Sequence, residues 1–345
     1  MRTGFRPFVI ASILAALAAC SFAPAAGAAF PGQNGAIAFT TYYLDGNENI
    51  YSIEPDGTGL RRLTADTGFD DDAAWSPNGR RIAFASNRAH PATACEGISP
   101  NCDYDIYVMN DDGANVKRLT ATPGNDREPY WSPDGRRIVF ASTRDDVGAN
   151  LYVMNADGTG QTRITNDPGV DSQPAWSPGG TAIAFFRAAC EFNCGTRAIF
   201  RVAPDGGGLL QLTDGSASDW KPDWSPDGAK IVFQREGLSV AFWIMNPDGT
   251  AQTRIPGLHR DPAWAPDGQR IAFGYPGIGH MNPDGGSPTT INSSGGEKPD
   301  WQPRSGPRRA DYRNGRDFCR AERDFLGAQE FNAVYGSFGG CVSAS

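Results

Sequence analysis

Short apolar runs recur along the chain at a regular spacing, each closed by a turn rich in Pro, Asp and Gly. The runs are of two kinds. One reads Ile-Val-Phe or Ile-Ala-Phe and follows a Trp-Ser-Pro-Asp-Gly segment, as between Trp131 and Phe140. The other reads Leu-Tyr-Val-Met or Ile-Tyr-Val-Met and precedes an Asp-Gly pair, as between Leu151 and Gly158. Runs this short, filled with β-branched and aromatic residues, predict strands. No helical periodicity appears between residues 34 and 303. Ser-Pro-Asp-Gly suits a type I turn, with Ser first, Pro second and Gly fourth, and Asp-Gly reverses the chain again. Each unit therefore predicts four strands: the Trp strand, two apolar strands, and a short segment ending in Leu-Thr or Ile-Thr.

The unit repeats six times. Its first half is marked by Trp75, Trp131, Trp176, Trp224, Trp264 and Trp301, its second by the Asp-Gly pairs at Asp56, Asp112, Asp157, Asp205, Asp248 and Asp284. Residues 34–303 span 270 residues, about 45 per unit, the length expected of a β-propeller blade. The first unit begins at Asn34-Gly35-Ala36-Ile37-Ala38-Phe39, a second strand without its Trp strand, while Lys298-Pro299-Asp300-Trp301 is a Trp strand without a following unit. Joining the two predicts a closed ring of six blades, which removes exposed sheet edges.

These residues resemble the six-bladed propeller of bacterial TolB-like proteins, the WD40-like PD40 repeat family. The resemblance covers residues 34–303. It implies an all-β propeller closed by its C-terminal strand and protein–protein contact in the cell envelope. The α/β domain that precedes the TolB propeller has no counterpart in these residues. The same repeat occurs beside peptidase domains, but no G-x-S-x-G elbow is present. The resemblance thus implies a protein-binding module, with a calcium-dependent propeller hydrolase or lyase and a purely structural envelope protein as alternatives.

The flanks read differently. Arg2 and Arg6 precede an apolar run from Phe8 to Ala19 and then small residues, the layout of a secretory signal over residues 1–28. Ala26-Gly27-Ala28 is the cleavage site favoured; Leu17-Ala18-Ala19-Cys20 resembles a lipobox that would lipidate Cys20 and give the only membrane contact. The expected protein is therefore secreted or held in the cell envelope, with the propeller over residues 29–303. Residues 304–345 carry no repeat. They predict a linker and a small helical tail, similar to a C-terminal module of secreted actinobacterial proteins. Export changes how the cysteines are read. Setting Cys20 aside leaves six, and proximity favours the disulfides Cys95–Cys102, Cys190–Cys194 and Cys319–Cys341.

Charge excludes one class of partner. The whole chain carries −8; residues 1–28 hold two Arg, and residues 304–345 hold seven Arg against five acids, so residues 29–303 carry −12. So acidic a body argues against nucleic-acid binding. Gly 42 and Pro 26 match the many turns, and 39% hydrophobic residues suffice for a core.

Strand direction sorts the loops onto two faces. The Ser-Pro-Asp-Gly and Asp-Gly turns share a uniform face. The second-to-third loops and the interblade links share a variable face, which holds both predicted disulfide insertions and is where binding is expected. Five residues before the Trp stand Asp70, Asp126, Asp171, Asp219 and, in the sixth unit, His259. This ring is expected either to bind a cation or basic partner at the channel mouth or to cap backbone N–H groups in the links. Catalytic constellations are absent, and no metal set is assigned: His259, Asp261 and His280 are scattered through one unit, and Asp45-Gly46-Asn47-Glu48-Asn49 lacks EF-hand spacing. No cofactor is expected, calcium being the one alternative. The aromatics Tyr51, Tyr107, Tyr152, Phe200 and Trp243 occupy matching third-strand positions as expected packing residues, and Gly279 breaks that series.

Overall fold

The computed structural model describes residues 32–89, 103–145, 148–167, 169–189, 195–237 and 239–304, with Arg316, Cys319, Arg320 and Cys341 of the tail. Among these residues, twenty-four strands form six four-stranded antiparallel sheets arranged as the blades of a propeller. Blade 1 combines β24 (Glu297–Arg304) with β1 (Gln33–Thr41), β2 (Asn49–Ile53) and β3 (Arg61–Arg62). Blade 2 is β4 (Asp70–Trp75), β5 (Arg81–Ser86), β6 (Asp105–Asn110) and β7 (Lys117–Arg118). Blade 3 is β8 (Asp126–Trp131), β9 (Arg137–Ser142), β10 (Asn150–Asn155) and β11 (Thr162–Arg163). Blade 4 is β12 (Val170–Trp176), β13 (Ile183–Ala188), β14 (Ala198–Val202) and β15 (Leu210–Gln211). Blade 5 is β16 (Ser218–Trp224), β17 (Ile231–Glu236), β18 (Ala241–Met245) and β19 (Thr253–Arg254). Blade 6 is β20 (Ala263–Trp264), β21 (Ile271–Phe273), β22 (Ile278–Met281) and β23 (Thr289–Asn292).

The closing strand repeats the register of the others. Trp75 pairs with Ile82, Trp131 with Ile138, Trp176 with Ile183, Trp224 with Ile231 and Trp264 with Ile271; across the chain ends, Trp301 pairs with Ile37. Six hydrophobic clusters follow, one at each interface between adjacent blades. The closing interface is built like the rest. Ile37, Phe39, Ile53 and Trp301 pack there against Ala263, Ala272 and Ile278 of blade 6. The side chains on these inner faces are close to fully buried, which supplies the main driving force for the ring.

The uniform face is uniform for a packing reason. In blade 3 the Gly135 N–H donates to the Ser132 carbonyl at 2.8 Å, and the Ser132 hydroxyl donates to Asp134 at 2.6 Å. Gly135 has φ of +66° and lies on Pro77 of the preceding blade, where an added Cβ would come within 3.4 Å of the ring. Gly180, Gly228 and Gly268 lie in the same way on Pro133, Pro178 and Pro226. The turns overlap like shingles, so each must keep the same shape.

In the tail the described residues are helical, and Cys319 is bonded to Cys341, as the sequence predicts. The signal segment, Cys20, and the pairs Cys95–Cys102 and Cys190–Cys194 lie outside the described residues. Among the described residues no helix is long and apolar enough to cross a membrane.

Candidate functional site

Six side chains, one per blade, ring the channel three positions before each Trp: Asp72, Glu128, Gln173, Lys221, Asp261 and Lys298. All six have left-handed backbone, with φ between 48° and 60°. In blades 2 to 5 a register shift in the inner strand falls at the same place. A bulge re-aims a side chain that the pleat would direct elsewhere. Non-glycine residues adopt such backbone only where the surroundings hold them there. Proline follows in five of the six units, at Pro129, Pro174, Pro222, Pro262 and Pro299.

The ring is a hydrogen-bonded belt. Glu128 accepts from the Gln173 N–H at 2.7 Å, Gln173 accepts from the Lys221 N–H at 2.9 Å, and Asp261 accepts from the Lys298 N–H at 3.2 Å. Side chains close two more steps: Lys221 pairs with Asp261 at 2.5 Å and Lys298 with Asp72 at 2.7 Å, while Asp72 and Glu128 are neighbours of like charge, with Arg127 3.6 Å from Asp72. Lys298 also pairs with Asp71, which takes Arg127 at 2.8 Å. Burial alone would raise the Asp71 carboxyl, but Lys298 and Arg127 outweigh it and hold the group well below the usual range.

Beneath the belt, toward the uniform face, is a cavity of about 120 Å³ lined by Pro and Ala from all six blades. Below the belt side chains that roof it, its polar members are Tyr130, Asp223 and Asp300. Asp223 accepts from Tyr130 at 3.0 Å and from the Trp264 N–H at 2.6 Å; Asp300 accepts from the Trp75 N–H at 2.6 Å. Burial pushes Asp223 up to about 6. Burial, joined by the charge of Asp223, pushes Asp300 up to about 8.

Above the belt the channel opens on the variable face into a funnel of about 770 Å³. Its wall is asymmetric. It comes from blades 5, 6 and 1, with Trp220, Glu236, Arg260, Tyr275, Glu297 and Tyr43 around the rim.

The aspartate ring expected at the mouth lies elsewhere. Asp70, Asp126, Asp171 and Asp219 are fully buried. Their backbone N–H groups bond carbonyls of the preceding blade, while their carboxylates are committed to arginines: Arg88, Arg144, Arg187 and Arg235, at 2.6 to 2.7 Å. Each guanidinium lies over the aromatic pair of its own blade, as Arg235 does over Phe233 and Trp243 at 5.2 and 4.6 Å. This correction to the cation-binding reading has a simple cause. The inner strand enters the sheet at the Asp, and a carboxylate buried there needs a counter-charge. The belt two residues further on holds the channel-facing groups. The recurring x-Pro-x-Trp pattern was the signal for it.

His259 is the exception in the predicted set. It is partly exposed, stacks on Phe273 at 4.1 Å and places Nδ1 3.1 Å from the Tyr275 carbonyl. His280 is buried beside Arg270 and the Pro55 carbonyl, and Asp261 belongs to the belt. Asp45 is bonded to Asn47, Asn49 and Arg62 of its own blade. Among the described residues no three His, Cys, Asp or Glu converge as metal ligands. Tyr51, Tyr107 and Tyr152 stack on the second-strand Phe of their blades, as Tyr107 does on Phe84 at 5.7 Å, Phe200 is tilted on Phe185, and Gly279 leaves its place to the Phe273 ring.

Comparison with known proteins agrees with this architecture. The family model of the Tricorn protease N-terminal beta propeller domain matches residues 90–252. A TolB homolog of Chlorobium luteolum is 32% identical over 129 residues, 29% of this chain and 30% of that protein. An uncharacterized peptidase of Bacillus subtilis, YuxL, is 32% identical over 91 residues, 26% of this chain and 12% of that protein. The matched segments thus span less than a third of these relatives. The crystal structure of TolB from Acinetobacter baumannii superposes with a TM-score of 0.64 at 20% identity, over 78% of this chain and 67% of that one.

Proposed function

We propose that this TolB-like six-bladed propeller is an exported, non-enzymatic binding module that receives a protein partner in the funnel of its variable face. The supporting observation is the funnel itself. It is a concave site of about 770 Å³ at the end of a belted channel, on the face where the loops differ from blade to blade. The opposite face offers near-identical turns locked onto one another. Placement in the cell envelope follows from the signal-like layout of residues 1–28 and from the likeness to TolB proteins. No resident metal or cofactor is part of this reading, and Cys20 is its only route to a membrane.

Photo-crosslinking in the envelope of the native cell tests it. A benzophenone side chain is placed at Ser294 or Arg260 on the funnel rim, and in parallel at Asp134 or Asp227 on the uniform face. Adducts with one protein from the rim positions alone are expected. The same adduct from the uniform face, with none from the rim, refutes the assignment.

A further inference from the structure

Among the described residues, the buried Asp–Arg pair of the repeat is missing from blades 6 and 1, and the funnel opens there. Blades 2 to 5 each seat a buried Asp–Arg pair over the second- and third-strand rings of the blade. In blade 6 the Asp is replaced by His259 and the third-strand ring by Gly279; in blade 1 the Asp position is Gly296. Where the other blades spend arginine on a buried carboxylate, these two carry the exposed rings of Tyr275 and Tyr43, which are 56% and 74% exposed. Leu258, 59% exposed, lies in the link leading to the same sector. Breaks in an otherwise consistent pattern mark function.

The chemistry of the sector is specific. Its rim combines Tyr43, Tyr275 and Trp220 with Ser293, Ser294, Gly295 and Gly296, a Tyr, Ser and Gly composition typical of surfaces that bind proteins. Tyr43 is pre-set: Gly295, at φ of +90°, lies so close under the ring that a Cβ there would collide with it. The cations of the funnel floor are already used, Lys221 on Asp261 and Lys298 on Asp71 and Asp72. Glu236 accepts from the Gln234 amide at 3.5 Å and attracts Arg197 through charge, but neither it nor Glu297 forms a close ion pair among the described residues. Arg197 lies 3.5 Å from the Trp220 ring and Arg260 5.8 Å from the Tyr275 ring, so two of the three rings already accept a guanidinium of the protein itself. Rings beside carboxylates that lack a close ion pair favour a cation, through the ring face and through charge together.

We infer that this cleft between blades 5, 6 and 1 receives the lysine or arginine side chain of a basic segment in the protein partner. The inference rests on the docking role proposed for the variable face.

The test uses the purified full chain and four labelled probes: tetra-arginine, tetra-lysine, tetra-serine and tetra-glutamate. Fluorescence anisotropy at low ionic strength is expected to show binding of the two cationic peptides only. Y43A/Y275A and E236Q/E297Q should each weaken tetra-arginine binding about tenfold or more, while D134N/D227N on the uniform face leaves it within about twofold. Equal melting temperatures certify the fold of each variant, since Tyr43 and Tyr275 face solvent. Absence of binding by the cationic peptides, equal binding of tetra-glutamate, or indifference to both rim variants overturns the inference. The crosslinking arm separates the two readings. A partner trapped at Ser294 and undiminished by Y43A/Y275A removes the cation site and leaves the docking role. A partner trapped only on the uniform face removes the docking role, while the peptide assay still reports on the cleft.

Discussion

Asp219 and Arg235 show what a single position does in this fold. The carboxylate is fully buried and takes the guanidinium in a forked contact at 2.6 and 2.8 Å. The guanidinium in turn covers Phe233 and Trp243. Removing one partner strands a buried charge, whereas removing both leaves an apolar site. Arg235→Met is therefore expected to lower stability by about 3 to 5 kcal/mol, with much of the loss recovered in Arg235→Met/Asp219→Leu. Chemical denaturation of the two variants decides it; a double variant no better than the single would mean that the pair contributes through packing and not charge. The position of these aspartates was legible in the sequence, in four of the six units at a fixed distance from the Trp. Their role was not. The arginine follows the second-strand Phe by four residues in blades 2 and 3 but by two in blades 4 and 5, so no single spacing announces the pair.

At the scale of the strand, β24 carries the closure. It brings Trp301 into the interface with blade 6, Lys298 into the belt and Asp300 onto the Trp75 N–H. Trp301→Ala is expected to cost about 3 to 5 kcal/mol, as for other buried large rings. Truncation before Glu297 should cost more, leaving blade 1 with three strands and an open edge that aggregates. A truncated protein that melts like the full chain would contradict closure by this strand. Asp300 adds a pH dependence. Its carboxyl titrates near 4 in an unfolded chain and near 8 in the fold. Between these values the folded protein holds the extra proton, so this group's contribution to stability falls as pH rises from about 4 to about 8 and is level above. Asp300→Asn keeps an acceptor for the Trp75 N–H. The stability of the wild type relative to this variant should therefore decline across that window, measured by melting at several pH values. A constant difference would mean that Asp300 titrates as an ordinary carboxylate.

For the whole molecule, the ring was written in the sequence because its parts repeat: six Trp strands, six Asp-Gly turns, and a first and last unit that complete each other. The site was less legible because it lies where repetition stops. His259, Gly279 and Gly296 are visible as departures, yet only the folded ring brings blades 5, 6 and 1 around one funnel and leaves Tyr43 and Tyr275 exposed on its rim. Charge acts at this same scale. The −12 carried by residues 29–303 is a property of the body and not of the cleft, so its effect on a basic partner belongs to the approach. Salt at about 0.15 M shortens the reach of that field to about 8 Å. The association rate of tetra-arginine, or of the partner once identified, should therefore fall steeply as salt is raised, with a much smaller change in dissociation. Y43A/Y275A should act in the opposite way, speeding dissociation and leaving association nearly unchanged, because it removes contacts made only after docking. Stopped-flow measurements of both rates separate the two. If salt acts mainly on dissociation and the tyrosine pair mainly on association, the long-range and contact roles have been assigned the wrong way round.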